Sequence, residues 1–343
     1  MHEIKSNGRL KELCHASGGD CGGMSIDNAF IQIIVRIIGA PLICVLKQEE
    51  PGAYLDILRE FEMIKRKIKT DTTGKTNVTF PCATITSLCE QHQSKTLNSM
   101  IQSSPFGSKI ELKRDKMKFD ADFMKSLFEE TIDNIVSLVK DALRKPAAKS
   151  VPLLLLVGGF ADCPLVQSAM KTNFPDKHII IPEEAVLSVL KGAVLFGHKP
   201  DYIASRVMRV SYGTDVTVLF DPDSHEQHRK YTKDGEDRCS DIFSEIIQKN
   251  ESVAVGTIVN HNYTTDTKYQ SKMYIAIYGS NKKKPTYVDE DCCFLIGKVK
   301  IDIPSPTRKK RLVSVEYIFG NTEISITATD DLYGIICEAA FTL

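Results

Sequence analysis

The chain has 343 residues, 42% hydrophobic and 26% charged, a balance that suits a globular protein with about two cores. Lys plus Arg and Asp plus Glu each number 44, so the formal net charge is zero and no global field draws the chain to nucleic acid or an anionic membrane. No apolar run reaches the ~18 residues a membrane span requires, and the polar N-terminus MHEIKSNGRLKELCHASGG lacks the apolar centre of a signal peptide; the expectation is a cytoplasmic chain without membrane or nucleic-acid partners.

In chain order, residues 2–15 read as a strand end and turn, followed by the glycine-rich turn Ser17-Gly18-Gly19-Asp20-Cys21-Gly22-Gly23. In IDNAFIQIIVRIIG the apolar residues Ala29, Phe30, Ile33, Ile34, Ile37 and Ile38 recur at helical spacing, with Gly39 and Pro41 as the stop. A second helix is predicted from about Gly52 to Lys69, burying Leu55, Leu58, Phe61, Ile64 and Ile68. Its Glu62, Lys65, Arg66 and Lys69 share one polar face. Residues 70–118 read as short strands and loops. A third helix runs from Asp120, a candidate N-cap, to about Arg144, before Lys145-Pro146.

The continuous apolar run VPLLLLVGG predicts a strand buried on both faces, ended by Gly158 and Gly159. Pro164 opens a helix. HIIIP reads as another buried strand, and Glu183 and Glu184 as the first turn of the helix AVLSVLKGAVLFG. Beyond about residue 205 the period changes to alternation. SVAVGTIV, KMYIAIYG, LIGKVKIDI, RLVSVEYIF, EISITAT and GIICEAAFTL predict half-buried antiparallel strands of a sandwich or barrel. The charged stretch from Asp221 to Asp237 reads as a loop. A domain boundary near Pro200 divides the chain into 1–200 and 201–343.

The ten cysteines include no Cys-x-x-Cys pair, and adjacent Cys292 and Cys293 suit neither zinc spacing nor an easy mutual disulfide, so reduced thiols are expected. His225 and His228 lack further ligands nearby, so no metal site is assigned. The basic tracts Lys282–Lys284 and Arg308–Arg311 read as solvated hairpin turns. The triplets at Asn77, Asn250 and Asn262 read as coincidental glycosylation patterns.

The segment LLLLVGGFADCPLVQSAMKTNF…IIIPEEAVLSVLKGAVLFG resembles the adenosine motif of the actin-like ATPases, and in particular that of the 70-kDa heat-shock proteins. KGAVLFGHKPDYIASRVMRVSYG, KYTKDGEDRCSDIF, FGNTEISITATD, LKELCHASGGDCGGMSIDNAF and YLDILREFEMIKRKI are similar to the divergent 12A/12B branch of that family. The resemblance covers nearly the whole chain. It implies an incomplete actin-like (ribonuclease H-like) lobe II, residues 1–200, followed by an antiparallel β-sandwich-like domain, residues 201–343. It further implies an ATP- or ADP-binding, chaperone-like protein.

By this resemblance Gly158 and Gly159 meet the ribose and α-phosphate, where a ligand approaches the backbone only if no Cβ intrudes. Glu62, Lys65 and Arg66 correspond to the helix against adenine and ribose, and Gly22 and Gly23 to the glycine pair near the β-phosphate. Phe160 and Asp162 stand where a Ser and an Arg usually follow the Gly-Gly pair. Met24 replaces a polar residue, and Glu183 stands in place of Asp. In the same family two Asp-x-Gly hairpins hold the phosphates and magnesium. The resemblance begins after the second of them, so catalytic residues are expected to be absent, with magnesium only in a fuller form. Two other readings stay open: an interaction module binding client or partner proteins through the β-domain, and a truncated product without function.

Overall fold

The computed structural model describes residues 1–342. They form two compact units: Ser17–Leu195, and Met1–Ala16 together with Phe196–Leu343. Helices and strands both occur, in several sheets, as expected of a mixed α/β chain.

The first unit is built on helices α1 (Gly23–Ile38), α2 (Ala40–Glu49), α3 (Pro51–Lys65), α4 (Cys82–Gln93), α5 (Leu97–Ser103), α6 (Ala121–Arg144) and α7 (Pro164–Asn173), and most of α8 (Ala185–His198) belongs to it. In α1 Phe30, Ile33, Ile34, Ile37 and Ile38 are buried as their spacing predicts, while Ala29 is only half-buried and Ile26, one turn before Phe30, completes the buried stripe. Gly39 ends the helix at φ 88°, its N–H bonded to the Val35 carbonyl at 2.8 Å. Pro41 then sits in the first turn of α2 rather than ending helical structure, since a first-turn N–H needs no partner. Phe30 stacks on Phe61 of α3 with centroids 3.9 Å apart, and Phe119 closes the same core. Leu55 is 45% exposed; Ile57 takes its place in the buried stripe of α3, which ends near Lys65 with Ile68 buried just beyond.

Residues 70–118 are more helical than their sequence predicts. Two helices, α4 and α5, separate the strand Lys75–Thr79 from the hairpin Ile110–Lys113 and Lys116–Asp120, and the three strands make one antiparallel sheet. The β-branched CATITS start of α4 and the brevity of α5 hide their periodicity. The apolar run at 153–157 departs further from expectation. Its strand Leu153–Leu155 pairs in parallel only with His178–Ile180, and side chains on it remain exposed: Leu155 is 56% accessible. With two strands there is too little sheet to cover, so neither strand is buried on both faces. The helix after it begins at Ala185, so Glu183 and Glu184 form the preceding turn. Of α8 only Ala185 is buried, while Val189, Leu190, Val194 and Leu195 face outward.

The second unit holds two antiparallel sheets. One runs Lys230–Lys233, Glu236–Ile247, Ser211–Leu219, Lys272–Ser280, Cys293–Asp302; the other Thr257–Thr264, Leu312–Phe319, Glu323–Asp330, Ile335–Thr342. One apolar core draws on both, including Ile275, Ile277, Val299 and Ile301 from the first and Val315, Tyr317, Phe319 and Ile326 from the second. The alternating strands thus occur where the pattern places them, except that SVAVGTIV breaks at Gly256 into Ser252–Ala254 and the start of Thr257–Thr264, which lie in different sheets. The charged stretch 221–237 contains the strand Lys230–Lys233 rather than loop alone; Lys230–Asp237 and Thr232–Asp237 contacts hold its hairpin. Arg311 is not a solvated turn residue. It is buried and bonds the fully buried Asp330 at 2.7 Å.

A third sheet joins His2–Ile4, Leu10–Glu12, Ile203–Val207 and Ser252–Ala254. Leu10 pairs in parallel with Ile203, and the Glu12 carboxylate accepts the Val207 N–H at 2.8 Å. These bonds assign the first sixteen residues to the β-rich unit, whereas the sequence reading groups them with 1–200. Among the described residues no single helix is long and apolar enough to cross a membrane.

Candidate functional site

Within the Ser17–Leu195 unit a cavity of about 470 Å³ is walled by the start of α1, the end of α3 and the turn at Gly159–Asp162. Gly23, Glu62, Lys65, Arg66, Gly159 and Phe160 all line it. Separations of more than a hundred residues in sequence are closed because α1 and α3 share the phenylalanine core and Phe160 packs against that same core. Gly22, Gly158 and Glu183 do not line the cavity. Gly22 is the N-cap of α1, in extended backbone and without a side-chain cap. Gly158 sits behind the turn, its N–H bonded to the Ala185 carbonyl at 2.8 Å. Glu183 is exposed in the turn before α8.

The polar wall is a chain of ion pairs. Lys65, nearly buried, donates to both Asp27 carboxylate oxygens at 2.7 and 2.8 Å, to the Gly23 carbonyl at 3.2 Å, and pairs with Glu62. Arg66 closes the row on the Glu62 carboxylate at 2.7 Å, one helical turn away. Burial pushes the Glu62 carboxyl upward, but the bonds from Lys65 and Arg66 outweigh it and hold the pKa below the ordinary value. Lys65 therefore acts as a strut between α3 and the N-terminus of α1. Glu62 and the exposed Arg66 are the groups left facing solvent.

The glycines have separate roles. Gly158 adopts φ 95° and ψ 171°, a region essentially confined to glycine, and so sets the turn. Gly159 has an ordinary φ, and a Cβ there would meet nothing within 4 Å, so at this point the cavity is lined by bare backbone. At Gly23 a Cβ would come 3.4 Å from the Lys65 ammonium and 3.8 Å from the Phe160 ring. The start of α1 carries no side-chain cap at Gly22, and the Lys65 ammonium lies beside it, a setting that favours an anion.

Residues outside the sequence expectation complete the wall: Asp27, Phe128, Cys163 and Val186. Asp27 carries a signal in retrospect, being one helical turn after Gly23 on α1, yet its partner lies on another helix. Met24 and Asp162, noted in sequence as departures from the family pattern, also line the cavity. The tetrapeptide Asp20-Cys21-Gly22-Gly23 has Asp-x-Gly-Gly spacing, but Asp20 is exposed and outside the lining.

No family model matches the chain. The chain is similar to Heat shock 70 kDa protein 12A of Mus musculus, at 32% identity over 336 residues, covering 96% of this chain and 50% of that protein. Heat shock 70 kDa protein 12A of Homo sapiens matches at the same identity and coverage. Heat shock 70 kDa protein 12B of Homo sapiens is 28% identical over 344 residues. The chain spans about half the length of the curated relatives it matches.

Proposed function

We propose, from the premise that this chain is a homologue of the 12A/12B branch of the 70-kDa heat-shock proteins over part of their length, that its α/β unit is an incomplete lobe II of an actin-like nucleotide domain. It binds the adenosine side of ATP or ADP and serves a chaperone-like protein. The observation that carries this reading is convergence: six of the nine positions assigned to nucleotide by resemblance line one cavity.

The chemistry of the wall fits the ligand. The Glu62 carboxylate is ionised and partly exposed, so it can accept ribose hydroxyls. The Arg66 guanidinium, 73% exposed, and the Phe160 ring offer planes for a base. The uncapped start of α1 suits phosphate oxygens. Hydrolysis is a different matter. Phosphoryl transfer requires positioned charge around the γ-phosphate and its metal. Of the three carboxylates in this wall, Asp27 and Glu62 are already neutralised by Lys65 and Arg66, which leaves the exposed Asp162 as the one carboxylate without an ion pair among the described residues. The unit described is therefore a nucleotide binder with little or no ATPase activity, and its wall offers no carboxylate pair free to hold magnesium.

A thermal-shift series tests this. Ligand at ten times its dissociation constant stabilises the bound state by about 1.4 kcal/mol, enough for an upward shift of a few degrees. ADP or ATP at millimolar concentration is expected to raise the melting temperature more than an equal concentration of inorganic phosphate. No shift with folded protein refutes the reading.

A second reading is an interaction surface on the β-rich unit. It is favoured by the edge strands Cys293–Asp302 and Ile335–Thr342, which expose Phe294, Leu295 and Ile336. Client or partner binding through that edge would be lost in Phe294→Glu and Ile336→Glu variants of the whole chain; capture that survives both changes excludes it.

A further inference from the structure

Successive residues along a strand point to opposite faces of the sheet. Cys292 and Cys293 do not, because Cys292 closes a turn and Cys293 is the first residue of the strand Cys293–Asp302. Their Sγ atoms lie 4.0 Å apart, and both are free thiols, half-buried. Each is held from outside the pair. The Ser280 hydroxyl donates to Cys292 Sγ at 3.4 Å, and Cys292 donates to the Glu290 carboxylate at 3.6 Å. Cys293 donates to the Tyr287 carbonyl at 3.4 Å. Glu290 is itself fixed by Lys282 and by the Tyr287 N–H, each at 3.0 Å.

A disulfide would need the sulfurs at about 2.05 Å. Two sulfurs bound to one centre by bonds of about 2.3 Å lie about 3.3 Å apart at a right angle and about 3.8 Å apart at the tetrahedral angle, so a small turn of one thiol side chain brings the pair onto a pyramidal centre. Among the described residues no three potential ligands gather to hold a metal ion, so a four-ligand zinc site has no support here. The pair matches a centre satisfied by two protein sulfurs.

We propose that Cys292 and Cys293 form a dithiol site for thiophilic trivalent arsenicals. Binding of an arsenoxide, R–As=O, makes two As–S bonds and breaks the As–O double bond. The oxygen leaves as water with the two thiol protons, and arsenic stays trivalent, so no oxidant or reductant is needed. Burial raises the Cys293 pKa, which keeps that proton on sulfur until the arsenical oxygen takes it.

Phenylarsine oxide added to the full chain tests the site. One equivalent is expected to remove two titratable thiols, to give an adduct mapping to the peptide with Cys292 and Cys293, and to be displaced by a small dithiol but not by the same concentration of a monothiol. Cys292→Ser and Cys293→Ser are each expected to weaken binding roughly 10²-fold, the loss of the second, intramolecular bond, while Cys337→Ser leaves it unchanged. Wild-type affinity in either single variant, an adduct on other cysteines, or release by monothiol overturns the proposal. The mapping uses unmodified sequence, so it stands whether or not a variant folds.

Discussion

Removing the Lys65 ammonium probes the wall of the cavity most directly. Lys65→Met keeps the aliphatic stem but deletes the charge shared by Asp27, Glu62 and the Gly23 carbonyl. Removing one partner from a fully buried pair costs about 3–5 kcal/mol, and a solvated pair contributes only about 0.2–1 kcal/mol. With the Lys65 side chain 10% exposed and that of Asp27 28% exposed, this pair lies between the limits, and a loss of about 2 kcal/mol follows. Urea unfolding followed by far-ultraviolet circular dichroism measures it, since α1 to α7 lie in Ser17–Leu195 and their signal tracks that unit. A cycle with Asp27→Asn should give a coupling of about 1 kcal/mol or more. A Lys65→Met change under about 0.5 kcal/mol, the range of an ordinary surface substitution, together with no coupling to Asp27, would refute the strut assignment.

Other substitutions separate turn-setting from contact. Gly158→Ala forces a Cβ into the glycine-only region and should cost about 1–3 kcal/mol, whereas Gly159→Ala, with open space at its Cβ, should leave the unfolding midpoint unchanged. In the β-rich unit Arg311→Met strands the fully buried Asp330 carboxylate and should cost about 3–5 kcal/mol in denaturant titration. The acid limb reports on Glu290. Burial raises its carboxyl pKa, but N–H groups of Tyr287 and Thr286 and the Lys282 ammonium bring it down to about 2, from 4.5. A depressed folded pKa stabilises the fold fully above pH 4.5 and loses that contribution as pH falls toward 2. Glu290→Gln should flatten stability against pH in that window, and an unchanged slope would count against the assignment.

What the sequence discloses depends on how far each constraint reaches. The α1 stripe and the alternating strands after Thr257 are periodic signals, repeated often enough to survive any context. α4 and α5 escape because their helicity leans on burying Ile85, Leu88, Leu97 and Ile101 in a shared core, and the Thr96 cap of α5 opens a helix of only seven residues, too short to show a period. The run at 153–157 misleads in the other direction. Apolar residues state what a strand could bury, not whether a second layer covers it, and here Leu153 and Leu155 stay exposed.

The cavity was legible as separate residues but not as a network. Spacing alone places Glu62, Lys65 and Arg66 on one face of α3. The bond from Lys65 to Asp27 joins two helices, and no local pattern announces it. Resemblance supplied Gly22, Gly158 and Glu183 together with the lining residues. The structure separates them, giving Gly158 the strained turn, Gly22 the helix cap, and Glu183 an exposed position before α8.

Direct titration of the chain with ADP, wild type beside Gly159→Leu, tests the nucleotide reading most closely. Gly159 has ordinary backbone and open space at its Cβ, so leucine leaves the fold intact while adding bulk to the cavity lining. Saturable binding by the wild-type chain that is lost or weakened at least tenfold, about 1.4 kcal/mol, in a folded Gly159→Leu variant is the predicted result. Equal binding by both, or none by the wild type, contradicts it.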